Sequence, residues 1–372
     1  MSETREAWGE MLAMLADAGE RFAGPDFGLE SADDIAEGHR ALLHLLEVGL
    51  LTELEADPDH PVFRPLVLSS LKAMGDNPDA IYFGAAVSAD HEYRVTGRTA
   101  GAVYLAFTVE ADAEDGGMPS HTAGVLNDDR IDIGTDGSFE VFLGGPARDR
   151  NWLALPAESS RITTRHYFEL KESAARPPAP ELGLHIEMLD PVGPAPTPDE
   201  ASVAAAIRRI TTFVAERSLG MGRPADREPV EFVSREPHVF PTPAKPGDFA
   251  LSAADAAYCM APYLLGPDEA LVITGRWPEC RFANVVLWNR QMQTYDYASR
   301  QVSRNRSQTT LEDDGSFRMV VAHEDPGVPN WLDTEGRPFG MVFWRFFLPE
   351  GEIETPRGEV VDLAELRPSP AQ

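Results

Sequence analysis

Apolar positions along this chain follow two rhythms, and the change from one to the other divides it. Trp8, Met11, Leu12, Leu15 and Phe22 recur at near-helical spacing among Glu and Ala residues of good helix propensity, which predicts an amphipathic helix within residues 3–23. Ser31 then stands as a capping residue ahead of a second helix, whose apolar stripe is Leu42, Leu43, Leu45, Leu46, Leu50 and Leu51. A third short helix is expected from Val67 to Met74, completing a helical preface over residues 1–75. From Ala80 the pattern shortens. Runs at 81–87, 102–109, 131–133, 139–143, 162–170 and 184–188 are rich in β-branched and aromatic residues, with Asp and Gly between them. Short strands at such spacing predict an antiparallel sandwich rather than a parallel sheet.

The strand-like stretch occurs twice. Thr96-Gly97-Arg98 returns as Thr274-Gly275-Arg276, Asp136-Gly137-Ser138-Phe139 as Asp314-Gly315-Ser316-Phe317, and Asn151-Trp152-Leu153 as Asn330-Trp331-Leu332. Thr96 lies 40 positions before Asp136, as Thr274 does before Asp314; Asn151 lies 17 before Phe168, as Asn330 does before Phe347. One inserted residue separates the copies, so the chain carries an internal duplication. The expected fold is mainly β with helical additions: two tandem antiparallel, jelly-roll-like β-sandwiches over 76–190 and 254–350. Between them, residues 191–253 form a proline-rich connector, including Pro191, Pro194, Pro196 and Pro198. Its helix starts at Thr197-Pro198-Asp199-Glu200, with Thr197 as cap, and ends at Gly220. A short helix is expected over 253–265, and the tail, 351–372, is expected to pack loosely.

Charge narrows the partners. A net charge of -29 repels phosphate backbones, and no dense Lys/Arg run offsets it, so nucleic acid is excluded. No apolar run approaches the roughly 18 residues that span a bilayer, so no membrane insertion is expected. The polar, acidic N-terminus does not read as a signal peptide, and a cytoplasmic location is the expectation. Cys259 and Cys280, 21 positions apart, form no zinc or disulfide pattern.

The run Ala322-His323-Glu324-Asp325-Pro326-Gly327-Val328-Pro329-Asn330-Trp331-Leu332-Asp333-Thr334 resembles the bacterial proteins grouped as domain of unknown function twelve-fourteen, related to family twelve-fifty-four. Gly75-Asp76-Asn77-Pro78-Asp79-Ala80-Ile81-Tyr82 and the Ala-Glu-Gly-His-Arg segment at 36–40 are similar to the same family. The resemblance implies tandem jelly-roll-like sandwiches and no particular reaction.

Candidate chemistry concentrates in the second copy. Period two along 317–323 places Phe317, Met319, Val321 and His323 on one inward face. His323 is the candidate acid/base, with Asp325 or Asp333 fixing its tautomer, since imidazole titrates at about 6.5; bonding to a main-chain carbonyl at the strand end is the structural alternative. Arg345 falls beside Phe343 and Phe347, in the place His166 takes in the first copy, and either pairs with Asp325 or Asp333 or holds a substrate anion. Trp288 and Tyr297, with Phe282 and Tyr295 and followed by Asn305, suit the wall of a small apolar pocket and equally an ordinary core. Asn77, Asp79 and Tyr82 read either as the edge of a cleft or as a turn, and Asn330 and Trp331 as ligand contacts or as a turn plug. No cofactor or metal motif is present. The functional expectation is binding or turnover of a small, largely apolar molecule (lipid-, isoprenoid- or steroid-like) in the second sandwich; the alternative is a structural or assembly protein, with self-association through sandwich edges.

Overall fold

Burial on both sides of a strand, more than alternation, shapes this chain's β structure. The computed structural model describes residues 2–190, 193–223, 226–228, 230–247 and 251–367. Pro191 and the connector's expected start at 191 lie outside these residues, as does the end of the tail from 368.

Two helices open the chain: α1 (Glu3–Arg21), capped by Ser2, and α2 (Ala32–Glu53), capped by Ser31 as expected. The first sandwich follows with β1 (Arg64–Pro65), β2 (Ala80–Ala86), β3 (Tyr93–Arg98), β4 (Tyr104–Ala111), β5 (Thr122–Asn127), β6 (Ser138–Leu143), β7 (Trp152–Leu153), β8 (Ser159–Tyr167) and β9 (His185–Met188). The connector helix is α3 (Glu200–Arg217). The second sandwich comprises β10 (Ala256–Leu264), β11 (Glu269–Gly275), β12 (Phe282–Trp288), β13 (Ser303–Asn305), β14 (Phe317–Ala322), β15 (Trp331–Asp333), β16 (Phe339–Phe347) and β17 (Arg357–Asp362), before a last turn of helix, α4 (Leu363–Leu366). The strands form sheets of order β1-β2-β8-β4-β5 and β7-β6-β3-β9 in the first sandwich, and β10-β16-β12-β13 and β15-β14-β11-β17 in the second. All pairings are antiparallel except β6 with β7 and β14 with β15. The two tandem sandwiches of the duplication are therefore present, each with its own core: one around Phe107, Phe139 and Ile162, the other around Phe317, Trp344 and Phe346.

The repeated motifs hold the sheets in shape. A Cβ on Gly97 would meet the Phe139 ring at 2.7 Å, and one on Gly275 would meet Phe317 at 2.8 Å, so each Gly leaves room for the Phe of its own copy. Arg98 and Arg276 bond to the carbonyls of Asp136 and Asp314 across the following turn. Asn151 and Asn330 take left-handed φ values of 55° and 60° and tie neighbouring main-chain groups, and Trp152 and Trp331 donate to the carbonyls of Gly144 and Ala322.

Several expectations are corrected. Residues 253–265 hold β10, not a helix: nearly every side chain is buried on both faces, which erases the period-two signal and leaves an alanine-rich run. No helix forms over 67–74, where the chain is drawn across to the second sandwich by Lys72, and the Gly75 amide donates to Met292. The cap of α3 is Asp199, reciprocated by Ser202, rather than Thr197, and the helix ends at Arg217. The tail supplies β17, paired with β11 from Thr274–Arg357 to Glu269–Asp362, which makes it the counterpart of β9 on β3.

Finally, the registers revise one equivalence. Tyr167 faces Ala80 and Tyr104 as Phe347 faces Ala256 and Phe282, so the partner of Arg345 in the first copy is Arg165, not His166. One residue of register moves a side chain to the other face. His166 points into the first sandwich against Phe139, while Arg165 and Arg345 both lie in the layer where the sandwiches meet. There Tyr167 packs on Phe347 (4.3 Å between ring centres) and Phe282 (4.9 Å), joining the two copies sheet to sheet.

Candidate functional site

Strand alternation carries Phe317, Met319 and Val321 into the second core, and His323 continues that row, half-buried at its end. Its Nδ1 lies 2.6 Å from the Thr334 hydroxyl and its Nε2 3.5 Å from the Leu265 carbonyl. Neither expected carboxylate is its partner. Asp325 is exposed and accepts from the Gly327 amide, while Asp333 is ion-paired with Arg300 at 2.9 Å. Asn330 and Trp331 bond to main-chain carbonyls of their own sandwich. Indole and phenyl rings fill the core behind them: Trp344 stacks on Phe317 at 5.1 Å and lies against Trp277 at 5.4 Å.

The other expected binding residues do converge, at the junction of the copies. The Asn77-Pro78-Asp79 turn enters between the sandwiches. Asn284 Nδ2 donates to Asn77 Oδ1 (2.7 Å) and Asp79 Oδ2 (2.9 Å), and Asn305 Nδ2 donates to Asp79 Oδ1 (3.1 Å). Arg345 donates to the Gly75 carbonyl at 2.6 Å and lies over the rings of Trp288 and Phe343; Trp288 donates to the Asp76 carbonyl. Tyr82 donates to the Tyr167 hydroxyl at 3.0 Å. Arg345 thus meets neither Asp325 nor Asp333. Gly75 is required here, since its φ is +77° and a Cβ would touch the Trp288 ring at 3.0 Å. Burial raises the Asp79 carboxyl to about 6, opposed by the two asparagine donors.

One step outward the same segment lines an open space. Glu37 and Arg40 of α2, Ser69 and Lys72, the 289–296 loop, and Glu335 and Arg337 ahead of β16 surround a small cleft of about 70 Å³ that is partly continuous with solvent. Lys72 is only 2% exposed. Its ammonium donates to the carbonyls of Thr294 (3.0 Å) and Tyr295 and sits 4.6 Å from the centre of the Tyr297 ring. Burial lowers its proton affinity, against the pull of Asp76, Asp296 and Glu335. Behind it Asp76, fully enclosed, accepts from the Thr294 amide (2.8 Å) and hydroxyl, and burial raises its carboxyl above the ordinary range. Arg337 is neutralised by Glu37 (2.6 Å) and Glu335. Arg40 is exposed and, like Lys72, has no ion-pair partner among the described residues. Among those residues no group of three or more His, Cys, Asp or Glu side chains could hold a metal ion, and no helix is long and apolar enough to cross a membrane.

Lys72, Arg40, Glu37, Arg337, Asp76 and Asn284 were not singled out by sequence reasoning. A signal was present: the family-like segment 36–40 and the loop leaving the 322–334 run border this cleft, and Lys72 is one of only three lysines in the chain.

By fold, this is a tandem antiparallel β-sandwich protein with a helical layer. Residues 271–351, which hold most of β11 and all of β12 to β16, match the family described as protein of unknown function (DUF1214). Over nearly the whole chain the structure is similar to the crystal structure of an uncharacterized protein from Burkholderia cenocepacia, with 29% identity and a TM-score of 0.82, covering 96% of this chain and 97% of that one. A structure from Vibrio parahaemolyticus aligns at 12% identity and a TM-score of 0.49, over 94% of this chain and 100% of that one. None of the curated proteins matches the sequence.

Proposed function

We propose that this protein binds a small molecule bearing an anionic group in the cleft between α2 and the second sandwich. The observation that carries the reading is the pair of cations, Arg40 and Lys72, facing one recess without carboxylate partners among the described residues, in a chain of net charge -29. Lys72 is a buried cation without an ion-pair partner among the described residues, which is costly, and an anionic ligand held also by the exposed Arg40 would offset that cost. The recess suits a polar ligand better than the lipid-like one expected from the aromatic residues, because Trp288, Tyr295 and Tyr297 are spent as buried core. With His323 bonded to Thr334, turnover through that imidazole gains no support from its surroundings. A thermal-shift screen of small carboxylates and phosphates tests the reading: stabilisation should appear for a subset and vanish in Arg40→Gln. Equal stabilisation of wild type and variant would contradict it.

The assembly alternative draws on a different feature. Trp8 (52% exposed) and Leu12 on α1, and Leu43 (65% exposed), Leu50 and Leu54 on α2, leave apolar stripes in solvent. Sedimentation velocity across micromolar concentrations decides it; a single monomeric boundary removes it.

A further inference from the structure

We propose that Lys72 is a carbonyl-reactive amine, and that the cleft takes a small 2-oxo acid, with its carboxylate toward Arg40 and its ketone at the Lys72 nitrogen. This rests on the cleft being a ligand site, and it names the ligand class. Three observations lead to it. The chain takes arginine almost everywhere: of its 32 Lys and Arg residues only Lys72, Lys171 and Lys245 are lysines. Lys171 and Lys245 are exposed, whereas Lys72 is enclosed at the cleft wall. Arginine serves as a permanent charge; lysine is the basic side chain that can shed its proton and attack carbon.

The second observation is geometric. Two main-chain carbonyls, those of Thr294 and Tyr295, hold the Lys72 nitrogen in place. A neutral amine has two N–H groups, so it can keep both of these bonds and still carry a free lone pair. The third is electrostatic. No carboxylate of the described residues is ion-paired with Lys72, and burial, the largest effect, disfavours its charged form against the pull of Asp76, Asp296 and Glu335, with Arg40 across the cleft acting in the same direction as burial.

The chemistry is redox-neutral. The nitrogen lone pair bonds to the ketone carbon, and the C=O π pair moves to oxygen. That oxygen takes up the proton lost from nitrogen, giving a carbinolamine. The C–O bond then breaks, its hydroxyl leaves as water after gaining a proton, the nitrogen lone pair closes the C=N bond, and the nitrogen releases its remaining proton, which balances the one taken up. Amine and ketone become imine and one water. Asp296 and Glu335, which also line the cleft, are the carboxylates available to relay these protons.

The test uses the full-length protein with pyruvate, with borohydride to reduce any imine to a stable secondary amine, and peptide mass mapping. The expected result is an adduct on the Lys72 peptide at least about tenfold above those on Lys171 and Lys245. Lactate, which has no ketone, should give none, and Lys72→Arg should lose the adduct. Because the exposed lysines serve as internal references in the wild-type chain, the result stands even if the variant folds poorly. Pyruvate binding seen by calorimetry without an adduct on Lys72 overturns the amine chemistry and leaves the binding reading intact. Even labelling of all three lysines also overturns it. Neither binding nor adduct overturns the oxo-acid assignment, and the cleft reading then rests on the wider screen of anions.

Discussion

At the scale of single residues, the molecule holds several ionisable groups in their neutral forms. His166 is fully buried with neither ring nitrogen bonded, and burial lowers it to about 3; His44 is lowered to about 4. Below the unfolded value of 6.5 the unfolded chain binds protons that these imidazoles refuse. Their contribution is therefore complete above pH 6.5 and is lost as pH falls through 4 toward 3. Asp79 works in the opposite direction: raised from 3.8 to about 6, it favours the fold most at low pH, and that advantage is lost as pH rises through 6. The imidazoles therefore pull stability down as pH falls below 6.5, while the raised carboxyls of Asp79, Asp76 and Glu110 pull it up, so each contribution is read from its own substitution. His166→Leu removes an unbonded polar ring and should add ~1–3 kcal/mol at neutral pH. It should also remove this imidazole's downward pull between pH 6 and 4, measured by urea unfolding at each pH; an unchanged pH slope would contradict this. Asn284→Ala deprives Asp79 and Asn77 of a donor and should cost about 2 kcal/mol or more in the same assay. None of this was visible in the sequence, because burial and the partners of Asp79 come from strands some two hundred positions away.

Elements were more legible where their own sequence carries the physics. Ser31 capping α2, the existence of α1 and the inward row Phe317, Met319 and Val321 all follow from local pattern, whereas the expected α1 stripe is only partly inward, with Trp8 and Leu12 in solvent. Legibility failed where tertiary contacts decide. β10 reads as helix because both of its faces are buried, and the 67–74 segment reads as helix because the anchors of this stretch and of Gly75 after it, Thr294 and Met292, lie in the other sandwich. The match of Arg345 with His166 failed by one residue, since motif spacing does not record the register of β8. Glycine at 97 and 275 is an element-scale constraint that the duplication did reveal. Gly275→Ala should cost about 1–3 kcal/mol by overpacking against Phe317, and Phe317→Leu in the same chain should recover part of it. Strictly additive losses would show that the contact is not the cause.

For the whole molecule, the duplication has become an interface. Each copy turns one sheet inward, so that Tyr82 and Tyr258, Arg165 and Arg345, and Tyr167 and Phe347 stand in equivalent places across the junction. The second copy is completed by β17, so removing residues 357–372 should expose the edge of β11 and cause aggregation or loss of cooperative unfolding. A truncated chain with an unchanged unfolding midpoint would contradict that role. The cleft lies where the helical layer meets this paired body, so its walls come from parts of the chain more than two hundred positions apart. Its occupancy is the central claim. Native mass spectrometry of the protein purified from its own host, followed by denaturation, tests it most directly. The account predicts a small polar acid at about one per chain, reduced in Arg40→Gln and Lys72→Met. An apolar compound retained equally by wild type and both variants would contradict it.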